Sequence, residues 1–520
     1  MILRVMKRST ETTSASTNFA PIASSAEQSH DGLTERYRWI ALGIIVTGTF
    51  MVVLDSTIVA VALDAIGNNL HATNGIDWII TAYLLTVGVI QSPTGWLADR
   101  VGRKPVFVSS MLLFALGSLC SALAPTLPIL IACRVLQGIG GGAMFPVGTA
   151  MTYELFPADR RGTALGIQGI ALMAAPAIGP VLGGWLVTAL SWRWMFLINI
   201  PIGIIGATLA IRLLKNTGFR EPRPFDWLGT TLIGSGVFGL LLAFSEGATW
   251  GWESAKTLGV GAIGLVLLAL FAFWTLGKAR HPVVDLRMFR ITIYSMTIGV
   301  TCLITLAQYA RVVFIPLELE SLRGLTALHT GALLVPGAIG ASMAMPIGGR
   351  LADKIGAKVP VMFGLIPVAI TNLYLSQISP NSSEITLMFY LFISGLGTGI
   401  SLMPNSVVGL NSLPAPLIAT GAALRSLSRQ IAAAIAVAIL TAIVSSHLGG
   451  TIRFNGREGL QRAQNAYNAA FRVGFWAVVV TMGVATFLPG RTRAKQLQQE
   501  RLGEQKAGLA TSTAGVFGSE

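Results

Sequence analysis

Apolar stretches about 20 residues long, the length needed to cross a bilayer core, recur along this 520-residue chain and limit what it can become. They lie at roughly 39–63, 77–98, 106–123, 127–153, 162–186, 194–213, 227–246 and 257–276, then at 292–317, 328–348, 359–377, 385–411, 421–444 and 469–489. Soluble chains carry about 25% charged residues. This one carries 12%, with 53% hydrophobic residues and a mean hydropathy of +0.67. In hydrocarbon only helices and closed barrels satisfy their own backbone groups, and runs this long are helical. The expected fold class is an all-α membrane protein with 14 transmembrane helices.

A net charge of +14 would suit a nucleic-acid partner, but its placement argues for a bilayer instead. The basic residues gather in alternate short loops and in both tails, as a positive-inside topology requires. Only the segment at about 445–472 places appreciable basic charge on the other face. We therefore expect a multi-pass protein of the cell inner (plasma) membrane with both termini cytoplasmic. Residues 1–38 lack the apolar core of a cleavable signal peptide and read as a disordered cytoplasmic tail, as do residues 491–520. Cys120, Cys133 and Cys302 all fall inside apolar runs, so no disulfide framework is expected.

The densest charge between two runs is at Gly95–Val106, GWLADRVGRKPV, where Asp99-Arg100 and Arg103-Lys104 flank Gly102. A weaker copy, Gly349–Lys358, includes Asp353 and Lys354 and follows the tenth run as the first copy follows the second. Two copies suggest two related halves. Each half takes six helices, at 39–213 and 291–490. The remainder, 214–290, then holds two inserted helices between cytoplasmic linkers, with tails at 1–38 and 491–520.

The loop G-x-L-A-D-R-x-G-R-K resembles the loop after the second helix in the major facilitator superfamily. Three further motifs extend the likeness. In the first run, Leu54-Asp55-Ser56-Thr57-Ile58-Val59 resembles the first-span signature of the fourteen-helix drug:proton antiporter family, although Ala60 and Asp64 replace its Asn and Pro. In the fourth, Arg134-Val135-Leu136-Gln137-Gly138 resembles the superfamily's proton-coupling motif. In the fifth, Pro176, Gly179, Pro180, Gly183 and Gly184 resemble the antiporter motif, a feature of exporters. The resemblance implies two six-helix bundles and export by alternating access. It also implies a latch between Asp99, Arg103 and the N-terminal end of span 13, in which Gly95, Arg100, Gly102 and Lys104 take part. Asp353 would serve a poorer second latch, because Ala357 stands where the first copy has Arg103. A solvated loop that only sets topology is the alternative.

The residues support part of this independently. Asp55 lies about 12 Å from the end of its helix, at ~1.5 Å per residue, and Arg134 about 10 Å from the corresponding end of its own. An embedded carboxylate is costly and is a functional candidate by default. A buried Arg needs a partner, and Asp55 is the embedded acid at matching depth. Arg134 and Gln137, at i and i+3, share a face. We expect a contact between Asp55 and Arg134 that protonation weakens; a static pair tying two helices is the alternative. In the Pro176–Gly184 stretch, generic small-residue packing is the alternative.

Arg311, Arg425 and Arg429 also lie within runs. Arg311 faces a cavity or an anionic ligand, or pairs with Glu318 or Glu320 near its helix end. Tyr83, Gln91, Gln168, Gln308, Tyr309 and Asn405 are candidate pocket residues, with helix–helix packing as the alternative for each. No Asp or Glu falls between Glu384 and Arg457, which puts dicationic substrates in doubt.

The expected function is proton-coupled antiport that exports small amphipathic compounds. An uptake or metabolite carrier, or a non-transporting sensor, is the alternative. No P-loop and no His/Cys ligand cluster occurs, so neither an enzyme nor an ATP-driven pump is expected. No cofactor or metal is expected beyond the proton gradient. The expected partners are a small-molecule substrate, protons and the lipid bilayer. The chain is expected to be a monomer, with periplasmic adaptor proteins as a further partner if the host has an outer membrane.

Overall fold

The computed structural model describes residues 34–72, 74–216, 224–279, 282–414, 417–448 and 456–490. Both tails, apart from the start of the first helix, lie outside this range. Among the described residues the chain is helical, without strands. The first half contains α1 (Glu35–Ile58), continued through a 3₁₀ turn into α2 (Leu63–Asn69), then α3 (Trp78–Val101), α4 (Arg103–Leu123), α5 (Leu127–Leu155) and α6 (Arg161–Ala189). It closes with a short α7 (Trp194–Leu197) running into α8 (Asn199–Leu213). Next come α9 (Trp227–Trp250) and α10 (Ala255–Gly277). The second half contains α11 (Thr292–Arg323), α12 (Ala327–Ile355), α13 (Lys358–Leu375), α14 (Glu384–Asn411), α15 (Ile418–Leu448) and α16 (Gly456–Ala485).

Twelve of these helical segments are long and apolar enough to cross a membrane, and thirteen if the bent α6 is one span. The helix α3 is 24 residues long, but its polar middle, Gln91-Ser92-Pro93-Thr94-Gly95, keeps it below that standard of apolarity. Helix ends follow local chemistry. Thr326 Oγ1 accepts from the His329 N–H to start α12, Asp226 accepts from the Gly229 N–H to start α9, and Gly324 ends α11 in the left-handed region at φ 67°.

The helix neighbours repeat between the halves. In the first, α1 packs on α6, α3 and α4 on α5, and α4 on α8; in the second, α11 packs on α15, α12 and α13 on α14, and α13 on α16. The contacts across the halves repeat too, α3 with α15 and α12 with α6. Helix α9 lies against α3 and α15, and α10 packs chiefly on α9. Thr81 Oγ1 meets Ser245 Oγ at 3.2 Å between α3 and α9, and Trp274 donates to Asp226 at 3.1 Å between α10 and the start of α9. Helix α10 turns Leu265, Val266 and Phe273 outward, as a lipid-facing helix would.

One helix begins well before its apolar run. Hydropathy places the last run at 469–489, yet α16 begins at Gly456. Its first turns are polar but one-sided. Ala463, Ala466, Tyr467, Ala470 and Phe471 are buried, and Asn468 donates to the Ile378 carbonyl at 3.3 Å. Part of the expected basic loop is therefore the amphipathic start of a helix.

The two loop copies turn in the same way. Gly102 has φ 104° and ψ 148°, and Gly356 has φ 82° and ψ −176°, a region essentially closed to residues with a Cβ. A Cβ on Gly102 would also lie 2.6 Å from the Asn216 side chain. Gly102→Ala or Gly356→Ala should each cost about 1–3 kcal/mol, read as a lower thermal unfolding midpoint in detergent. An unchanged midpoint in both would contradict this account of the turns.

Candidate functional site

Asp55 sits in the last turn of α1, fully buried. Arg134 Nη1 approaches its Oδ2 at 2.5 Å. Gln137 Nε2 and Asn199 Nδ2 both donate to its Oδ1, at 2.7 and 2.9 Å. Arg134 also donates to the Gln137 side-chain oxygen at 2.6 Å and to the Ile79 carbonyl at 3.1 Å. Its guanidinium lies 4.1 Å from the Tyr83 ring centroid and 5.6 Å from that of Phe196. Gln137 reaches Ser118 Oγ at 2.7 Å. One carboxylate thus gathers donors from α5 and α8, and through them touches α3 and α4.

The structure brings Asp55, Arg134 and Gln137 together and adds Tyr83, which was expected at a pocket, as the aromatic face under Arg134. Sequence reasoning missed Ser118 and Asn199. Asn199 is one of few polar residues in its apolar run and Ser118 one of four serines in another, both common occurrences, and nothing in the spacing points either one at Asp55.

The Pro–Gly stretch of α6 lies against the same end of α1. A Cβ on Gly179 would clash with Thr57 Oγ1, and one on Gly183 would lie 3.0 Å from Ile58. Gly184 has open space around it. Helix α6 bends by 41° between Pro176 and Ile178, and Thr57 Oγ1 donates to the Ala175 carbonyl at 3.4 Å. Pro180 lies near Gly331 of α12.

The loop residues divide between two jobs. Arg103 is fully buried, and its close acid is Glu154 at 2.6 Å rather than Asp99 at 3.9 Å. It also donates to the Ala150 carbonyl at 3.0 Å. Glu154 becomes available because α5 runs on to Leu155, so Arg103 ties α4 to α5 within one half and does not latch the two halves. Lys104 donates to the Ile211 carbonyl at 2.6 Å, and Arg100 lies over the Trp96 ring at 5.3 Å. Gly95 does face the other half, since a Cβ there would lie 2.7 Å from Thr420 Cα in the first turn of α15.

The second copy does latch the two halves. Asp353 accepts from the Gly162 N–H at 2.8 Å, the Thr163 N–H at 3.0 Å and Thr163 Oγ1 at 3.1 Å. A carboxylate capping the positive end of α6 needs no Arg at position 357. Gly349 and Gly162 bring the two backbones into direct contact beside it. The halves are therefore closed on the side of Gly102 and Gly356.

A cavity of about 60 Å³ lies between the halves. Gln168 lines it, and so do Arg425 and Arg429. The other pocket candidates lie elsewhere. Gln91 donates to Gln430 at 3.5 Å. Asn405 bonds the Thr297 carbonyl and Thr301 Oγ1, both at 3.0 Å, which makes it helix–helix glue. Gln308 and Tyr309 are partly buried on α11 and do not line the cavity. Arg311 donates to Thr398 at 3.5 Å. It does not pair with Glu318, which meets Arg323 at 3.3 Å.

The latch geometry makes a prediction. Losing the Asp353 cap should weaken the closed side by about 1 kcal/mol, roughly a fivefold change in population. With the native cysteines replaced by Ser, a Thr149→Cys reporter in the cavity should react about fivefold faster with maleimide when Asp353→Ala is added. An unchanged rate would contradict the latch.

A sequence profile described as Major Facilitator Superfamily matches residues 45–437. The chain is 31% identical over 447 residues to the uncharacterized MFS-type transporter YcnB of Bacillus subtilis, covering 86% of this chain and 93% of that one. It is 29% identical over 426 residues to a multidrug resistance protein B homolog of Mycobacterium tuberculosis, covering 81% and 78%. It is also 31% identical to the multidrug transporter protein MdtP of Bacillus subtilis, covering 74% and 71%. Among solved structures, the proton:xylose symporter XylE superposes with a TM-score of 0.61 at 14% identity, covering 89% of this chain and 98% of that one; this likeness speaks to the fold. With helices paired as two repeating halves and a profile match over most of its length, the chain belongs to the major facilitator superfamily.

Proposed function

We propose that this protein is a proton-coupled antiporter that exports small amphipathic compounds by alternating access, as a 14-span member of the drug:proton antiporter branch. In this reading it lies in the cell inner membrane with both termini cytoplasmic. The observation that carries the proposal is the Asp55 network. A fully buried carboxylate is held by one cation and two amide donors from other helices. The three side chains that bond it all donate, as an ionised acid requires. Protonation removes the charge that holds Arg134 and places a donor among donors. It therefore favours a conformation in which Arg134 has moved away, and by linkage that conformation binds the proton more tightly.

The closed latch gives the cycle a direction. The side of Gly102 is closed while the Asp55 network is intact, so proton binding from the opposite side would favour opening of the latch side. There the proton leaves and a compound enters. Gly179 and Gly183 allow α6 to slide against α1 within a few residues of Asp55, a mechanical route from the acid to the helix that Asp353 caps. The named relatives support export of drug-like compounds over the uptake and sensor alternatives.

Two outcomes test this. In proteoliposomes, compound-induced proton release should fall about tenfold or more in Asp55→Asn, the effect of losing roughly 1.4 kcal/mol or more of linkage, while compound binding persists. Unchanged release would demote Asp55 to a structural acid. Arg134→Ala leaves a buried charge unpaired, a cost of about 3–5 kcal/mol, and should lower the unfolding midpoint far more than Asn199→Ala. Equal effects would contradict the placement of the charge pair at the centre.

A further inference from the structure

The cavity between the halves carries positive charge that no neighbouring acid neutralises. On α15, Arg425 and Arg429 both line it, at i and i+4 on one face. Arg425 Nη2 donates to Ser406 Oγ at 2.7 Å, but its Nη1 is buried without a hydrogen-bond partner. The Arg429 guanidinium lies 5.5 Å from the centroid of Phe145, across the cavity on α5. Neither has an ion-pair partner among the described residues, and no lining residue is acidic. Helices α14 and α15 cannot supply one beyond Glu384, because the sequence has no Asp or Glu from there to Arg457.

The contrast with Arg134 is informative. That arginine is fully buried, where Arg425 and Arg429 are partly buried, and it is matched by Asp55, Gln137 and the Ile79 carbonyl, although its Nη2 also lacks a partner. Two adjacent arginines repel, and each unpaired buried charge is costly. Arg134 has a carboxylate against it, whereas Arg425 and Arg429 have none among the described residues. The rest of the cavity wall is apolar or neutral, with Leu172 and Met403 beside Phe145, and Ser426 beside Arg425.

We propose that the cavity is the binding site for the exported compound, and that the compound is an organic anion with a single acidic group on an apolar body. Arg425 and Arg429 hold the acidic group, with the Ser426 hydroxyl completing its hydrogen bonds. The guanidinium fork suits a carboxylate, sulfonate or phosphate oxygen pair. Phe145, Leu172 and Met403 take the apolar body. At about 60 Å³ the closed cavity holds little more than water, so the compound enters when the latch side opens. This inference rests on the export reading for its direction but not for the binding site itself. Exchanging one incoming proton for one outgoing anion moves two charges in the same electrical sense. An inside-negative potential should therefore speed the cycle, whereas exchange of a proton for a monocation would be electroneutral.

The test uses three probes with one apolar body, namely 1-naphthoate, 1-naphthylmethylammonium and 1-naphthalenemethanol. Calorimetry on the purified full chain in detergent should show naphthoate binding at least about tenfold more tightly than the others. Arg425→Gln and Arg429→Gln should each weaken naphthoate about tenfold or more, as loss of a charged hydrogen bond predicts, and leave the neutral probe unaffected. Naphthoate binding no tighter than that of the other two, including no binding by any, overturns the proposal. A readout independent of the probe is the stability of the ligand-free protein. Removing an uncompensated charge in Arg429→Gln should raise the unfolding midpoint, and a fall would show Arg429 to be structural, which also overturns it. Proteoliposomes separate this proposal from the export reading. If naphthoate binds but neither a pH gradient nor a potassium diffusion potential drives its efflux, export fails and the anion site stands. If the ammonium probe is exchanged for protons and naphthoate is not, export stands and the anion site fails.

Discussion

A carboxylate and a guanidinium in contact where no water reaches either of them set the terms for the first half of this protein. Asp55 and Arg134 are each expensive to bury alone, and the expense falls only if their remaining hydrogen-bonding capacity is met. The fold meets most of it from several helices. Gln137 is one turn along α5, Asn199 stands at the start of α8, and the Ile79 carbonyl lies in the first turn of α3. The bundle must therefore hold these helices at fixed depth around one point, and any change in the charge of Asp55 acts on all of them together.

Close backbone contact carries such a change outward. Helix α6 meets α1 through Gly179 and Gly183, and its other end meets α12 through Gly162 and Gly349. One rigid but bent element thus connects the neighbourhood of the acid to the interface between the halves. At that interface the Asp353 cap on α6 adds a directional contact to an apolar cluster shared by Leu165 of α6 and Met345 and Ala352 of α12.

Much of this could be read in the sequence. Run length and the placement of charge indicate a polytopic helical protein, and the repeated loop indicates two halves. Depth alone pairs Asp55 with Arg134, because few charges are embedded and these two match. What escaped reading depends on which way a side chain points. Asn199 and Ser118 resemble any polar residue in an apolar run until the helices are placed. Arg103 was paired with Asp99 through the family resemblance, but the extra turn of α5 brings Glu154 closer. Asp353 was undervalued because its loop lacks the second basic pair, although capping a helix end needs only the carboxylate. The early start of α16 was hidden because its buried face is made of alanines between polar residues. Arg425 and Arg429 were visible as embedded charges, but only the packing of α15 shows that they share a cavity with no acid.

The central claim is that the charge on Asp55 sets the balance between closed and open latch sides. The most direct measurement is a spin-label distance across the interface between α6 and α12 on the Gly102 side, followed by double electron–electron resonance as pH falls, in the native chain and in Asp55→Asn. The account predicts that the native distance distribution shifts from short to long on acidification, and that the variant shows one distribution at every pH. A native distribution that ignores pH, or an acid-driven shift that survives in Asp55→Asn, would contradict it.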